Sequence, residues 1–296
     1  MRRVLEIGQR FGVNITPVHF YSDIPNFRVL RASEKWKRPY TFQAVAGTDL
    51  DSQLAFVQDA CAPYTDRLAQ KDIHTSACEH NGAAGFGCGE AAFLYAFARR
   101  HKPQRIIQIG CGVSTAVLLM AADDEPGYTP EIICIEPYPT DYLLELSKQG
   151  RITLIQEFAQ DVSIERLTDL SEGDLFFVDS THTLNPGSEV SCAILEVLPR
   201  LRAGTWVHFH DIQFPYNYGP NLMSTDIFFC REELMLHAFL ACNTRYELAA
   251  SLSWLHNERC DELTSALVDY SPCAADRGLK TSDGDFAVSA YLRVIA

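Results

Sequence analysis

The stretch Arg105-Ile106-Ile107-Gln108-Ile109-Gly110-Cys111-Gly112-Val113-Ser114-Thr115 predicts a short apolar strand, then a Gly-x-Gly turn, then the start of a helix. Glycines at this turn let the backbone approach a ligand closely, because neither carries a Cβ atom. The helix that follows offers free N–H groups and the positive end of its dipole. This order is typical of a nucleotide-like cofactor site in an open α/β sheet.

The residues around the turn leave two cofactors open. In the dinucleotide fingerprint G-x-G-x-x-G the third glycine allows close packing of helix on strand, and Thr115 stands there in this chain. That departure disfavours a nicotinamide dinucleotide. The next predicted strand, 131–135, ends at Glu136, where a carboxylate would bind ribose hydroxyls. Nicotinamide dinucleotides and S-adenosylmethionine both contain ribose, so Glu136 does not separate them.

The composition excludes several classes of protein. The chain has 296 residues and a net charge of −13, so its surface repels nucleic acid phosphates and we expect no nucleic acid partner. It has no run of roughly 18 apolar residues, the length of a membrane span. Its ten cysteines are scattered without a C-x-x-C pair, which disfavours a zinc ribbon and favours reduced thiols. We therefore expect a cytoplasmic protein without a membrane partner.

Strand and helix patterns alternate through most of the chain, which predicts a mainly parallel, doubly wound α/β sheet. The last strand alternates more between apolar and polar residues, so we expect it to be antiparallel and at an edge. Residues 1–80, rich in aromatics and prolines, are predicted to form a helix and loop cap over the site, although a merely structural extension fits equally well. Residues 81–296 would form the cofactor-binding domain. The predicted strands are 105–109, 131–135, 152–156, 174–178, 204–209, 245–250 and 286–294, and the predicted helices lie near 89–100, 114–122, 140–149, 163–168, 188–200 and 231–242.

A second polar cluster follows two of the predicted strands. Asp179 and His182 come after strand 174–178, and His210-Asp211 come after strand 204–209. The carboxyl ends of parallel strands meet at one edge of a sheet, so these side chains should lie beside the Gly turn. Asp179, His210 and Asp211 could hold Mg²⁺ or a similar divalent cation that acidifies a substrate hydroxyl. Alternatively, His182 alone could be a general base, because the ordinary pKa of histidine is about 6.5.

Several motifs together resemble the class I S-adenosylmethionine-dependent methyltransferases of the methyltransferase-24 type. They are "IGCGVST", "CIEP", "GDLFFVDSTHT", "AGTWVHFHDIQFPYNY" and the N-terminal "GVNITPVHFYSDIP", and they extend over nearly the whole chain. The resemblance implies a Rossmann-like seven-stranded sheet whose last strand is antiparallel. Two positions depart from the usual pattern, since Gln108 replaces an acidic residue and His210 replaces a carboxylate ligand. The loop from Gln213 to Arg231 also departs, which indicates a shifted acceptor specificity.

The resemblance also implies a role for individual residues. The donor S-adenosylmethionine would contact Gly110, Gly112 and Ser114 with its methionine part, Glu136 with its ribose, and Phe158 and Asp161 with its adenine, next to Asp179. His182 lies three residues after Asp179, the spacing of the base in sugar O-methyltransferases, and would act with Asp179 and Asp211. The cation ligands would be Asp179, His210 and Asp211. The acceptor pocket would contain Phe20, Tyr21, His210, Phe214, Tyr216 and Tyr218.

These expectations define an enzyme that O-methylates a secondary metabolite or sugar in natural product biosynthesis and that could form a homodimer. N- or C-methylation of an aromatic heterocycle stays open, because the same fold and base serve either reaction. Two other classes also stay open on the sequence alone. They are a nicotinamide-dependent oxidoreductase and a cofactor-binding protein without catalysis.

Overall fold

A seven-stranded sheet forms the centre of the protein, whose computed structural model describes residues 2–22, 24–33, 35–216, 231–276, 279–280 and 284–296. The strand order is β3-β2-β1-β4-β5-β9-β6. Strands β1 to β5 pair in parallel, and β9 pairs antiparallel with both β5 and β6. The predicted α/β class with an antiparallel last strand is confirmed. The strands are β1 Arg105–Ile109, β2 Glu131–Ile135, β3 Thr153–Ile155, β4 Leu175–Val178, β5 Trp206–Phe209, β6 Tyr246–Ser251, the short hairpin β7 Ala275–Asp276 and β8 Leu279–Lys280, and β9 Ala290–Val294.

The position of β9 differs from the sequence prediction. This strand lies between β5 and β6 rather than at an edge, so the predicted edge position is wrong. Four of its five residues are buried, as an interior strand requires. It also begins at Ala290 instead of residue 286. The backbone of Val288 bonds outside the ladder, accepting from the Ile212 N–H at 2.7 Å and donating to the Glu90 carboxylate at 2.7 Å.

Helices cover both faces of the sheet and bury two hydrophobic cores. One core joins α3, α5, α6 and α7 to one face, and the other joins α9, α10 and α11 to the opposite face. The predicted helix 188–200 is in fact α10 followed by a π-helical turn Ala193–Val197 and a 3₁₀ turn Leu198–Arg200, which contains Pro199. The helices are α1 Arg2–Gln9, α2 Phe27–Arg31, α3 Leu50–Cys61, α4 Thr65–Leu68, α5 Ile73–Asn81, α6 Cys88–His101, α7 Val113–Asp123, α8 Asp141–Lys148, α9 Ile164–Leu167, α10 Glu189–Cys192, α11 Glu232–Leu240, α12 Leu252–Glu258 and α13 Cys260–Ala266.

The first 80 residues fall into two parts. Helices α3 and α5 pack against α6 and α7 and contribute Val57, Ala60 and Ala77 to the core. By contrast, Gly8 is the one buried residue among the described residues before residue 41. A cap over the site formed by residues 1–80 stays a prediction. None of the helices in the described ranges has the length and apolar content needed to cross a membrane.

The sheet positions the residues that follow its parallel strands. The backbone hydrogen bonds of the sheet continue one residue past the end of β1, β2, β4 and β5. The residue that follows each of these strands is therefore held by its backbone, independently of its side chain. Their N–H groups donate to carbonyls of a neighbouring strand at 2.9 to 3.1 Å, and the residues are Gly110, Glu136, Asp179 and His210. Each of them was predicted from the sequence as a site residue. All four therefore share one edge of the sheet, in fixed register.

Candidate active site

The Gly turn is shaped by the neighbouring chain segment as well as by any ligand. Gly110 has a φ of 77°, a left-handed conformation that favours glycine. A Cβ atom placed on Gly110 would lie 1.6 Å from the carbonyl oxygen of Asp179. No side chain can occupy that space. The donor turn after β1 and the loop after β4 are thus in direct backbone contact.

A buried hydrogen-bond network beneath the turn accounts for two departures from the usual motifs. Gln108 donates from Nε2 to the Ser114 hydroxyl at 2.7 Å. Thr115 donates from its hydroxyl to Gln108 Oε1 at 2.8 Å and accepts from the Gly112 N–H at 3.2 Å. Gln108 and Thr115 therefore stabilise the turn through hydrogen bonds. Gln108 stands where the methyltransferase motif has an acidic residue, and Thr115 stands where the dinucleotide fingerprint has its third glycine. Ser114, predicted to contact the donor, is buried in this network.

A cavity of about 220 Å³ opens beside the turn. Four residues predicted to bind the donor line it, namely Gly110, Glu136, Phe158 and Asp179. Glu136 accepts from the Tyr138 N–H at 2.9 Å and from the Cys111 N–H at 3.3 Å, so its carboxylate is fixed at the cavity wall. The structure places Gly112, Ser114 and Asp161 outside this lining.

His182 lies in a cluster of three carboxylates. Its Nδ1 is 2.7 Å from Glu232 Oε2, and its Nε2 is 3.3 Å from Asp211 Oδ2 and 3.6 Å from Asp179 Oδ1. The ring is buried, with an exposed fraction of 5%. His182 and Asp211 both have left-handed backbones, with φ values of 58° and 56°. Such conformations are uncommon outside glycine and cluster at functional sites.

The carboxylates determine the protonation of this ring. Burial by itself lowers the pKa of His182, but hydrogen bonds to Asp179 and Glu232 and the attraction of Glu232 and Asp211 outweigh it and raise that pKa to about 10. Burial also raises the pKa of Glu232, against the pull of His182. For Asp179, burial is outweighed by His210 and His182, which lower its pKa. In this state His182 is a cation that neutralises part of the cluster.

Asp179, His210 and Asp211 can hold a metal ion. One ligand atom from each lies within 4.8 Å of the other two. Two carboxylates and an imidazole suit Mn²⁺, Fe²⁺ or Zn²⁺, and the carboxylates alone suit Mg²⁺. The sequence predicted these three residues to lie together, and the structure brings them together.

The sequence analysis missed Glu232 and Glu233 at the start of α11. Glu232 bonds His182, and Glu233 Oε2 accepts from the Gln213 N–H at 3.2 Å. The two carboxylates thus hold both loops that carry the cluster. Two acids in the first turn of a helix are common, because they complement its dipole. Their burial, at 1% and 3% exposure, is the signal that distinguishes them, and burial is not visible in the sequence.

The predicted acceptor residues lie in different surroundings. Phe20 and Tyr21 are each 81% exposed and stack near His19. Phe214 and Tyr216 are buried, and the ring of Phe214 packs edge-on against Phe42 at 5.3 Å. None of these four lines the cavity. Tyr218 lies outside the described residues.

Comparison with known proteins identifies the class. Residues 107–212 match the sequence model of a family described as a methyltransferase domain. An uncharacterised protein of Archaeoglobus fulgidus is 32% identical over 194 residues, which span 62% of this chain and 85% of that protein. A candidate O-methyltransferase from Klebsiella pneumoniae is 16% identical, with a TM-score of 0.48 over 76% of this chain and 90% of its own. The O-methyltransferase TomG of Streptomyces achromogenes, involved in tomaymycin synthesis and bound to S-adenosylmethionine, is 14% identical, with a TM-score of 0.45 over 77% of this chain and 90% of its own. Likeness at this level says nothing about the acceptor.

The sheet order, the Gly turn and the family match together define a class I methyltransferase. Residues 107–212 match a methyltransferase domain, and the protein is an S-adenosylmethionine-dependent methyltransferase. This excludes the alternative of a nicotinamide-dependent oxidoreductase.

Proposed function

We propose that this enzyme transfers the methyl group of S-adenosylmethionine to a hydroxyl of a small molecule, with His182 as the general base. One observation carries the proposal. Asp179 lines the cavity beside the Gly turn and also lies 3.6 Å from His182 Nε2. A donor in that cavity and an acceptor beside His182 would therefore share one wall. In-line displacement at a sulfonium depends on this alignment and on the exclusion of water, and it needs no covalent intermediate with the enzyme.

Glu232 would act as a positioning residue for the base. Its carboxylate accepts the Nδ1 proton of His182 at 2.7 Å, which leaves Nε2 as the atom that receives a proton from the acceptor. Nε2 faces Asp179 and Asp211, the side of the ring nearest the donor cavity. To accept a proton, the ring must first be neutral. The two aspartates therefore need another positive partner.

A divalent cation on Asp179, His210 and Asp211 would be such a partner, and the donor set fits one. When bound, it would supply a Lewis acid that acidifies the acceptor hydroxyl. With Asp179 and Asp211 bound to the cation, Glu232 would be the one carboxylate of the cluster that still raises the pKa of His182. The ring would then be available as a base near neutral pH.

The acceptor we propose is a secondary metabolite or sugar hydroxyl, bound against residues 1–49 and 213–231. His210 and the aromatic residues Phe20, Tyr21, Phe214, Tyr216 and Tyr218 remain the predicted contacts. N- or C-methylation of an aromatic heterocycle is the second candidate, since His182 could deprotonate either kind of acceptor. The atom to which the methyl group is attached in the product, oxygen or a ring nitrogen or carbon, distinguishes the two reactions.

The test uses methyl-labelled S-adenosylmethionine and a panel of hydroxylated and heteroaromatic acceptors, with product structures determined by NMR. With a competent acceptor, His182→Ala should lower kcat by about 10²–10⁴-fold, the usual contribution of a general base. His101→Ala is the matched control, because His101 is a partly buried imidazole that packs on Phe56 and Phe97 outside the cluster and the predicted acceptor contacts. An unchanged kcat in His182→Ala would exclude this residue as the base.

The role of the cation needs a separate measurement. Protein stripped with EDTA should lose most of its turnover and regain it when Mg²⁺ or Mn²⁺ is added, while binding of S-adenosylmethionine persists. Full activity after verified metal removal would exclude the cation and leave His182 with Glu232 as the whole proton-accepting unit.

A further inference from the structure

A buried serine links two imidazoles behind the candidate cation site. Ser289 Oγ lies 3.1 Å from His208 Nε2 and 3.4 Å from His210 Nδ1. Ser289 immediately precedes β9, and the antiparallel pairing of β9 with β5 brings it beside both histidines. Ser289 and His208 are fully buried, and His210 is 7% exposed. None of this chain's resemblances assigns a role to Ser289 or His208.

The rings of both histidines are held by aromatic packing. Phe177 stacks on His208 with centroids 4.2 Å apart, and Phe86 lies over His210 at 4.6 Å. His208 is fully buried and no carboxylate bonds its ring among the described residues, and an unpaired charge is too costly to bury, so the ring is neutral. A neutral imidazole has one N–H and one lone pair. Neither ring can turn freely, so the position of each proton decides which hydrogen bonds form.

A serine hydroxyl has one hydrogen and therefore donates to only one of the two rings. If it donates to His208, it must accept the proton of His210 Nδ1. His210 Nε2 then carries a lone pair on the side of Asp211, whose Oδ1 is 3.6 Å away. If it donates to His210 instead, His210 Nε2 carries the proton and cannot bind a cation. Two arrangements of the same protons therefore correspond to a ligand and a non-ligand form of His210.

We propose that Ser289 and His208 are positioning residues that hold His210 in the tautomer whose Nε2 can bind the cation. The proposal rests on the cation site proposed above. In this arrangement His210 Nδ1 donates to Ser289, Ser289 donates to His208 Nε2, and the His208 proton lies on Nδ1. In this arrangement the His208 Nδ1–H meets no acceptor among the described residues, whereas the other arrangement leaves a lone pair there. The hydroxyl of Ser289 thus replaces the carboxylate or carbonyl that commonly fixes a metal-binding histidine.

Calorimetric titration of the metal-free enzyme with Mn²⁺ alone tests the proposal without any measurement of turnover. Ser289→Ala should bind Mn²⁺ about 10–100-fold more weakly, the usual effect of removing such a partner. Ser289→Thr keeps the hydroxyl and should recover most of the affinity. Ser253→Ala is the matched control, because Ser253 is also fully buried and its hydroxyl has no partner among the described residues.

The tautomer itself is measured by long-range ¹H–¹⁵N NMR of the histidine rings, with Zn²⁺ as a diamagnetic cation. We expect His210 protonated at Nδ1 in the wild type with Zn²⁺, and a mixture of tautomers in Ser289→Ala without it. Unaltered Mn²⁺ affinity in a folded Ser289→Ala, together with an unaltered tautomer, overturns the role of Ser289 alone. A wild type that binds neither cation overturns the cation site, and this inference with it, but leaves methyl transfer by His182 standing.

Discussion

Replacement of Gly110 by alanine should damage both the fold and the donor site. Two separate costs combine at this position. The first is the left-handed backbone, with φ at 77°, which costs an alanine about 1–2 kcal/mol. The second is the new Cβ atom, which would lie 1.6 Å from the Asp179 carbonyl oxygen.

The steric cost follows from the contact distance. Real Cβ atoms stay about 3.0 Å or more from such an oxygen, so the two segments must separate by about 1.4 Å. That movement would break the bond from the Asp179 N–H to Ile109 and the bond from the Gly110 N–H to Ile135. Each contributes about 1 kcal/mol, so the total cost should be about 3–4 kcal/mol. Because Asp179 also lines the cavity, donor affinity should fall by at least about tenfold, which equals 1.4 kcal/mol.

Gly127→Ala provides a matched control. Gly127 has nearly the same φ, 79°, but a Cβ atom there would meet nothing within 4 Å. Urea unfolding followed by circular dichroism should give a loss of about 1–2 kcal/mol for Gly127→Ala and about 2 kcal/mol more for Gly110→Ala. Calorimetric titration with S-adenosylmethionine should show a weaker affinity only for Gly110→Ala. Equal losses of stability in the two variants would refute the steric argument and leave the backbone angle as the sole cause.

Two further predictions concern carboxylates. Burial raises the pKa of Glu233 to about 8, so the folded protein binds a proton that the unfolded chain releases near 4.5, and stability should fall as the pH rises from about 4.5 to 8. Glu233→Gln can still accept from the Gln213 N–H, so urea unfolding should show it more stable than the wild type at pH 9, by up to about 5 kcal/mol, and nearly equal to it at pH 4.5. Equal stability at pH 9 would show that Glu233 is not protonated on folding. Glu136→Ala should weaken the binding of S-adenosylmethionine about 10–100-fold in calorimetry, because the carboxylate faces the cavity, and an unchanged affinity would exclude it as the ribose ligand. The variant should also lose stability, because the Tyr138 and Cys111 N–H groups lose their acceptor.

The parts of the fold that the sequence predicted correctly are those with local signals. Strands β1 and β2 have the predicted bounds, because each is a short apolar run that ends at a glycine or a carboxylate. The end of the chain was misread for a non-local reason. Phe286 and Val288 alternate with smaller residues like a strand, but the backbone of Val288 is paired with Ile212 and Glu90 rather than with β5.

In the site, too, the features that follow from strand order were predicted, and those that depend on packing between distant segments were not. The convergence of Asp179, His182, His210 and Asp211 follows from strand order alone, since all come after parallel strands of one sheet. The role of Glu232 could not be predicted, because it depends on how α11 packs back on the loop after β4. The exposure of Phe20 likewise depends on where the N-terminal segment lies, and the local sequence around Phe20 does not show this.

The backbone ladder that extends past the strands to Gly110, Glu136, Asp179 and His210 has a consequence for engineering and for evolution. Four residues of the predicted site are bonded directly to the sheet, whereas residues 1–49 and 213–231 contribute no strand to it within the described ranges. Gln213 and Arg231 are bonded to Glu233 and His182, so we expect an exchanged segment between them to leave the donor site intact only if both positions are kept. If the acceptor binds against those two segments, as proposed, its identity could change in evolution while the residues bonded to the sheet stay the same.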